Sequence, residues 1–252
     1  MRCLAVLIAL VAAAMGQETG QAVRPPAPRF RLHSRVEQLT EGRRMLLVVD
    51  RELELRPLDE KVVNLRFLAV SGTLILPGAS RRFDTREKPP AKGEDAFAAR
   101  WRAVVNHDLR LGLDDRSRPK SLSGLPDAAV KSGLSEAVLL DDLASWFVPR
   151  APAGMPIPGA FEWSRAFRAA GLPVRLDFAL EPVQGGAYWK AKGTLVGPSV
   201  KKSEGRLTFE RPDGDLLPPR LDISLQALLE QPAGKGRSRL VTLRVTGSIR
   251  RL

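Results

Sequence analysis

The feature that most constrains this chain is a two-residue alternation of apolar and charged side chains, repeated along much of its length. The segment from Phe30 to Glu37 shows the pattern, with apolar or small residues at even positions and mostly charged residues at odd positions. Successive side chains of a β-strand point to opposite faces, so the pattern predicts strands with one apolar and one charged face. Such strands are typical of antiparallel sheets that expose one side to water.

Segments with this rhythm recur on both sides of the chain centre, and turn signals separate them. Two of the turns are Gln184-Gly185-Gly186 and Pro212-Asp213-Gly214-Asp215. The sequence therefore predicts a mainly β protein, an antiparallel meander of about ten strands. A meander this wide is expected to form a curled sheet, or a partly open barrel or sandwich.

One segment departs from the two-residue period. Ser135 is suited to cap a helix, Pro149 is suited to end it, and the apolar residues between them fall on one helical stripe. Those residues are Leu139, Leu140, Leu143, Trp146 and Phe147. We therefore expect one amphipathic helix over 135–148, packed on the concave face of the sheet.

The first residues have the composition of an export signal. Residues 1–16 begin with a basic residue, continue in an apolar run and end in small residues. The run is shorter than the roughly 20 residues that span a bilayer, and no later segment approaches that length. We expect 1–16 to be removed and the mature chain, without a transmembrane segment, to be periplasmic or extracellular.

The remaining chain is expected to contain a short linker and one domain. Residues 17–28 are rich in Pro and Ala and predict a flexible linker. Residues 29–252 predict a single β-rich domain, with strand clusters at 29–122 and 160–252. The helix and a Pro-rich crossover join the two clusters. The only cysteine is Cys3, so the mature chain would have no disulfide.

The chain is strongly basic, with 40 Lys and Arg against 28 Asp and Glu and a formal net charge of +12. The basic residues are scattered and form no single stripe, which does not favour nucleic acid as a partner. An anionic component of a cell envelope remains an alternative partner. No spacing of residues predicts a metal site or a cofactor.

The candidate site follows from the two-residue alternation of the strands. Apolar residues at every second position predict a strand over Trp101–Leu113, with His107 on its apolar face. Together with the helix stripe, this predicts a ligand-binding face formed by Trp101, Val105, His107, Leu109, Leu143 and Trp146. No catalytic residues are assigned.

These sequence features are compatible with three functions. The first is a non-catalytic envelope protein that binds a lipid or other amphiphile on the concave apolar face. The second is an anion-binding surface module that recognises an acidic polymer. The third is a secreted hydrolase that uses His107, although alternation would point Asp108 to the opposite face.

Two short motifs flank the central segment, Arg81-Arg82-Phe83-Asp84-Thr85 and Pro158-Gly159-Ala160-Phe161-Glu162-Trp163. With the meander and the helix between them, the chain resembles an uncharacterised family of exported, β-rich bacterial envelope proteins. The resemblance implies export and a β fold, and it carries no catalytic residues. The layout is also similar to that of periplasmic lipoprotein carriers, which is an analogy of architecture alone.

Overall fold

A computed structural model describes residues 26–89, 96–115, 117–144, 146–147, 161–169, 172–183, 188–210, 216–234 and 237–252. The expected export signal at 1–16 lies outside these residues. So do the Pro-rich crossover and all but the last three residues of the linker expected at 17–28.

The described residues form twelve strands and three helices. The strands are β1 (Arg29–Thr40), β2 (Arg43–Pro57), β3 (Val62–Leu76), β4 (Ala79–Asp84), β5 (Asp108–Leu113), β6 (Pro119–Ser123), β7 (Phe161–Ala169), β8 (Leu172–Pro182), β9 (Tyr188–Val196), β10 (Val200–Glu210), β11 (Arg220–Gly234) and β12 (Arg237–Arg251). The helices are α1 (Ala96–Val104), α2 (Asp127–Lys131) and α3 (Glu136–Ala144).

All twelve strands belong to one antiparallel sheet. Eleven of them follow the order β6-β5-β3-β2-β1-β12-β11-β10-β9-β8-β7, and β4 pairs with the free part of β3 beside β5. Among the described strands, β6 and β7 are the two edges, so the sheet is open. The prediction of a mainly β, antiparallel sheet is confirmed.

The first and last strands meet in the middle of the sheet. β1 pairs with β12 from Phe30 opposite Arg251 to Thr40 opposite Val241, without a register shift. On its other side β1 pairs with β2. The strands therefore form a first half, β1–β6, and a second half, β7–β12, which are joined along the β1–β12 ladder.

The predicted alternation determines which face of the sheet is buried. In β9, Trp189, Ala191 and Leu195 are buried, while Lys190 and Lys192 between them are exposed. We call the face with the buried apolar side chains the inner face, and the opposite one the outer face. Buried residues from both halves of the sheet and from the three helices form one hydrophobic cluster. A sheet this wide generally bends toward one face, which places the core on the inner side.

Helix α3 is the helix expected over 135–148, and its start agrees with the predicted cap. The Val138 amide donates a hydrogen bond to Ser135 Oγ (3.2 Å), which satisfies one of the free amides of the first turn. The helix packs on β6, while α1 packs on α2 and β3. The described helices are thus located mainly on the first half of the sheet.

The strand expected over Trp101–Leu113 is wrong in its first part. Ala96–Val104 is helix α1, and the strand β5 begins only at Asp108. The buried residues of α1 are Ala98, Trp101 and Val104, which have the spacing of three that a helix requires. Alanines at 96, 98, 99 and 103 also favour a helix. With α1 and the short α2, the described residues contain three helices where one was expected.

Candidate functional site

The residues of the predicted ligand-binding face are only partly brought together. Trp101 and Leu143 are buried on α1 and α3, Leu109 is buried on β5, and Trp146 is buried just after α3. Val105, which follows α1, is half-buried and packs against the same hydrophobic cluster. These five residues contribute to the core on the inner face of the sheet.

His107 is the sixth residue, and its predicted position is wrong. It lies in the turn between α1 and β5 and is exposed, not on the apolar face. The error follows from the helix, since residues before Asp108 do not share the strand's period. The neighbouring Asp108 accepts hydrogen bonds from Asn64 (3.0 Å) and from Arg66 Nε and Nη2 (2.7 and 2.8 Å). These bonds hold the pKa of Asp108 below its ordinary value. The structure thus gives no support to a His107–Asp108 pair.

Trp101 anchors α1 to the sheet through two ring contacts. Its ring packs edge-on against Phe67 of β3, with the ring centroids 5.7 Å apart. On another side the guanidinium carbon of Arg51 lies 5.1 Å from the centre of the indole. This distance is within the range of a cation–π interaction, which is stronger where water is excluded.

Trp146 lies on the centre of the sheet because β12 has a glycine beneath it. A Cβ atom at Gly247 would lie 2.5 Å from the Trp146 ring and 3.1 Å from Ile223. Any residue other than glycine would place a Cβ atom in this space. The glycine therefore lets the segment after α3 pack directly against the backbone of the central strand.

Arg51 is a site residue that the alternation of apolar and charged residues did not predict. It lies on β2 opposite Leu32 of β1 and Val70 of β3, so its side chain points to the inner face. It is the one buried charged residue among the described residues, and it is 4% exposed. The signal was present in the sequence, because Arg51 occupies the apolar phase between Val49 and Leu53.

The partners of Arg51 come from both covering helices. Its Nη2 lies 3.0 Å from Oδ2 of Asp142 on α3, and the Trp101 ring of α1 lies beside its guanidinium. The Arg51 side chain is 5% exposed and that of Asp142 34% exposed. The pair therefore extends from the apolar core to a point where α3 meets solvent.

Several buried donors in this region lack an acceptor within the described part of the chain. They are Nε and Nη1 of Arg51, Nε1 of Trp101 and Nε1 of Trp146. A buried N–H group without an acceptor loses its hydrogen bonds to water and gains nothing in return, so such groups are few in folded proteins. These four donors belong to the inner face, and the acceptor Oδ2 of Asp142, 3.0 Å from Arg51 Nη2, is buried beside them.

The outer face has a different chemistry, in which acids and bases are interleaved. Glu52 accepts from Arg31 (2.7 Å) and is 2.8 Å from Arg86, in a surface depression of about 310 Å³. Burial acts to raise the pKa of Glu52, but the bonds from these two arginines outweigh it, so the pKa lies below its ordinary value. His33 and Asp50 form a further pair at 2.9 Å. This mixing of signs argues against an outer face devoted to binding polyanions.

A metal site needs grouped ligands, and a helix that crosses a membrane must be long and apolar. Among the described residues, no three His, Cys, Asp or Glu side chains are grouped in a way that could hold a metal ion. Within the same residues, no helix has both the length and the apolar character needed to cross a membrane.

Comparison with known proteins shows a similarity of fold. No family model matches the chain, and no curated protein matches it. The chain is similar to lipovitellin, with a TM-score of 0.53 and 8% sequence identity; 90% of this chain is covered, but only 25% of the lipovitellin chain. This chain therefore corresponds in length to about a quarter of lipovitellin.

Two other solved structures have lower scores. One is a DUF1329 family protein from Desulfovibrio piger, with a TM-score of 0.21, 9% identity, and 89% of this chain and 86% of that chain covered. The other is MucB in complex with MucA, with a TM-score of 0.11, 10% identity and 88% of each chain covered. Of the three, only the likeness to lipovitellin reaches the level of a shared fold.

Proposed function

We propose that this chain is a non-catalytic binding protein that holds a lipid or other amphiphile on the inner face of its sheet. The observation that carries the proposal is the inner face itself. Its apolar side chains continue across the whole described sheet, from Leu109 on β5 to Leu180 on β8. A ligand with a hydrocarbon part would lie among these buried side chains, which would shield it from water.

The placement of the helices supports the same proposal. They pack mainly on β3 and β6, whereas the apolar face continues across β12, β11, β10 and β9. The similarity to lipovitellin adds support, because the structure that this fold matches was described for its lipid–protein interactions. Export to the periplasm or the cell exterior, inferred from residues 1–16, is part of the proposal and fits a carrier of apolar molecules.

Tryptophan fluorescence provides a direct test. Trp101, Trp146 and Trp189 are all buried on the inner face, so a brominated fatty acid bound there should quench their emission. Quenching should saturate below the concentration at which the fatty acid forms micelles. Lipid extracted from protein purified from the native host should contain the physiological ligand. Failure of any amphiphile to bind, with no lipid in the extract, would refute the proposal.

A matched pair of variants locates the binding face. Ala191→Phe adds a large side chain at a buried inner position of β9, and Lys192→Phe adds the same side chain at the next, exposed position. The inner variant should weaken binding by about tenfold or more, or 1.4 kcal/mol, because it occupies the ligand's space. The outer variant should bind like the wild type. Ala191→Leu is the smaller alternative if the first variant does not fold.

A further inference from the structure

We infer that the ligand of the inner face is an anionic amphiphile, and that Arg51 receives its carboxylate or phosphate headgroup. This inference rests on the proposed function and specifies the class of ligand. It starts from the fact that Arg51 is the one charged residue that the described sheet buries on its apolar face.

A buried charge needs more partners than Arg51 has within the described residues. Moving a guanidinium from water into an apolar core is costly unless its N–H groups are hydrogen-bonded. Asp142 lies beside Nη2, and the Trp101 ring is near the guanidinium carbon. Within the described residues, Nε and Nη1 have no acceptor. The pairing with Asp142 alone therefore leaves part of the guanidinium unsatisfied.

The missing partner must supply acceptors. The guanidinium presents its N–H groups in a planar fork that matches the two oxygens of a carboxylate or the oxygens of a phosphate. The neighbouring Trp101 Nε1 is a further donor without an acceptor in the described part of the chain. The buried donors of Arg51 and Trp101 outnumber the buried acceptor that Asp142 contributes, and together with the positive charge they favour an oxyanion as ligand.

The site borders the side of α3 that is exposed to solvent. A third of the Asp142 side chain is exposed, although Arg51 is nearly inaccessible. An entering oxyanion would approach Arg51 along Asp142, and the two anions would then share one guanidinium. Asp142 thus occupies part of the headgroup site when no ligand is bound, and removing its charge should favour the ligand.

The sheet continues from Arg51 with a row of apolar side chains. Cross-strand pairing places the following residues in line, one on each successive strand: Leu32, Ile249, Leu221, Phe209 and Trp189. All five are buried. At about 4.8 Å between strands, the row extends about 24 Å from Arg51. A charged head at one end and a long apolar track beyond it are the two parts of an anionic lipid.

The test compares ligands that differ only in the headgroup. A long-chain fatty acid, the alcohol of the same chain length and acetate are titrated into the full chain, and binding is measured by calorimetry. The wild type should bind the acid about tenfold to a hundredfold more tightly than the alcohol, the range expected for hydrogen bonds to a charged group. Arg51→Met should abolish this preference and leave the affinity for the alcohol unchanged.

Further variants separate headgroup binding from a structural role. Arg51→Met/Asp142→Leu replaces the whole pair by apolar side chains, so it tests the same point without a lone buried charge. Asp142→Asn should strengthen binding of the acid but not of the alcohol. Arg35→Met removes an arginine of the outer face that is 45% exposed and should change neither affinity.

The outcomes are distinguishable. If no long-chain ligand binds, the proposed function fails. If the acid and the alcohol bind equally to the wild type, or if the folded Arg51 variants keep the preference for the acid, this inference alone is overturned. If acetate binds as tightly as the long-chain acid, the site recognises a free anion and the headgroup assignment is overturned.

Discussion

The two halves of the sheet share one pattern of alternation but differ in what their inner faces carry. In the first half, Arg51 stands among apolar side chains, and the three described helices lie mainly on this half. In the second half, every described buried side chain is apolar, for example Phe178, Leu180 and Phe209. The described inner face thus combines a uniformly apolar second half with one buried charge in the first half, and the helices pack beside that charge.

Cavities in the two halves should cause the greatest loss of stability, and they show whether the halves unfold together. Leu111→Ala in the first half and Leu180→Ala in the second each remove a side chain that is at most 1% exposed. Each should lower the free energy of unfolding by about 2–5 kcal/mol because a cavity remains. Since the β1–β12 ladder joins the halves, both variants should shift one common transition in chemical denaturation monitored by circular dichroism. Two separate transitions, each moved by only one variant, would show that the halves are independent units.

Overpacking at two glycines should cost less stability, and it distinguishes contacts within one half of the sheet from contacts between the sheet and the segment after α3. Gly247→Ala would place a Cβ 2.5 Å from Trp146, and Gly193→Ala would place one 2.5 Å from Phe178. Each should cost about 1–3 kcal/mol through overpacking. Only Gly247→Ala should also speed amide hydrogen exchange in α3, because it displaces the residue that follows this helix. Equal exchange in both variants would mean that Trp146 does not hold α3 in place.

The smallest effect concerns the outer face and its dependence on pH. Glu52→Gln removes the carboxylate that binds Arg31 and Arg86, and it should cost about 0.5–1 kcal/mol at neutral pH. The folded-state pKa of Glu52 is lowered, so its stabilisation is present above the ordinary value of 4.5 and is lost as the pH falls through the folded value. The difference between wild type and variant should therefore shrink below pH 4.5 in denaturation curves. A difference that is constant with pH would exclude the charge as its cause.

Most of the fold was predictable from the sequence because most strands have one apolar and one charged face. The alternation in Phe30–Glu37 and Tyr188–Val196 is the same signal that burial shows in β1 and β9. Helix α1 was missed because apolar residues at 101, 103, 105, 109, 111 and 113 imitate a strand. The period of three in Ala98, Trp101 and Val104 was the competing signal, and tertiary packing on β3 and α2 decides between the two.

The candidate site was less predictable than the fold. Trp101, Leu109, Leu143 and Trp146 are recognisable as apolar residues of the inner face, but their neighbours are not. The approach of Asp142 to Arg51 depends on how α3 lies over β2, which no local pattern specifies. Arg51 itself was visible as an exception to the alternation. A charged residue in the apolar phase of a strand is therefore worth noting in any sequence of this kind.

The pairing of β1 with β12 has a consequence for the order in which this chain acquires its structure. Since β12 lies between β1 and β11, a growing polypeptide can assemble its early strands only as far as β1, and one side of β1 stays without a strand partner until β12 is synthesised. The strands β7–β11 likewise are not joined to β1–β6 within the sheet until β12 pairs with β1. The described sheet is therefore complete only after β12 has been synthesised, and removing β12 would divide the sheet at its centre instead of trimming an edge.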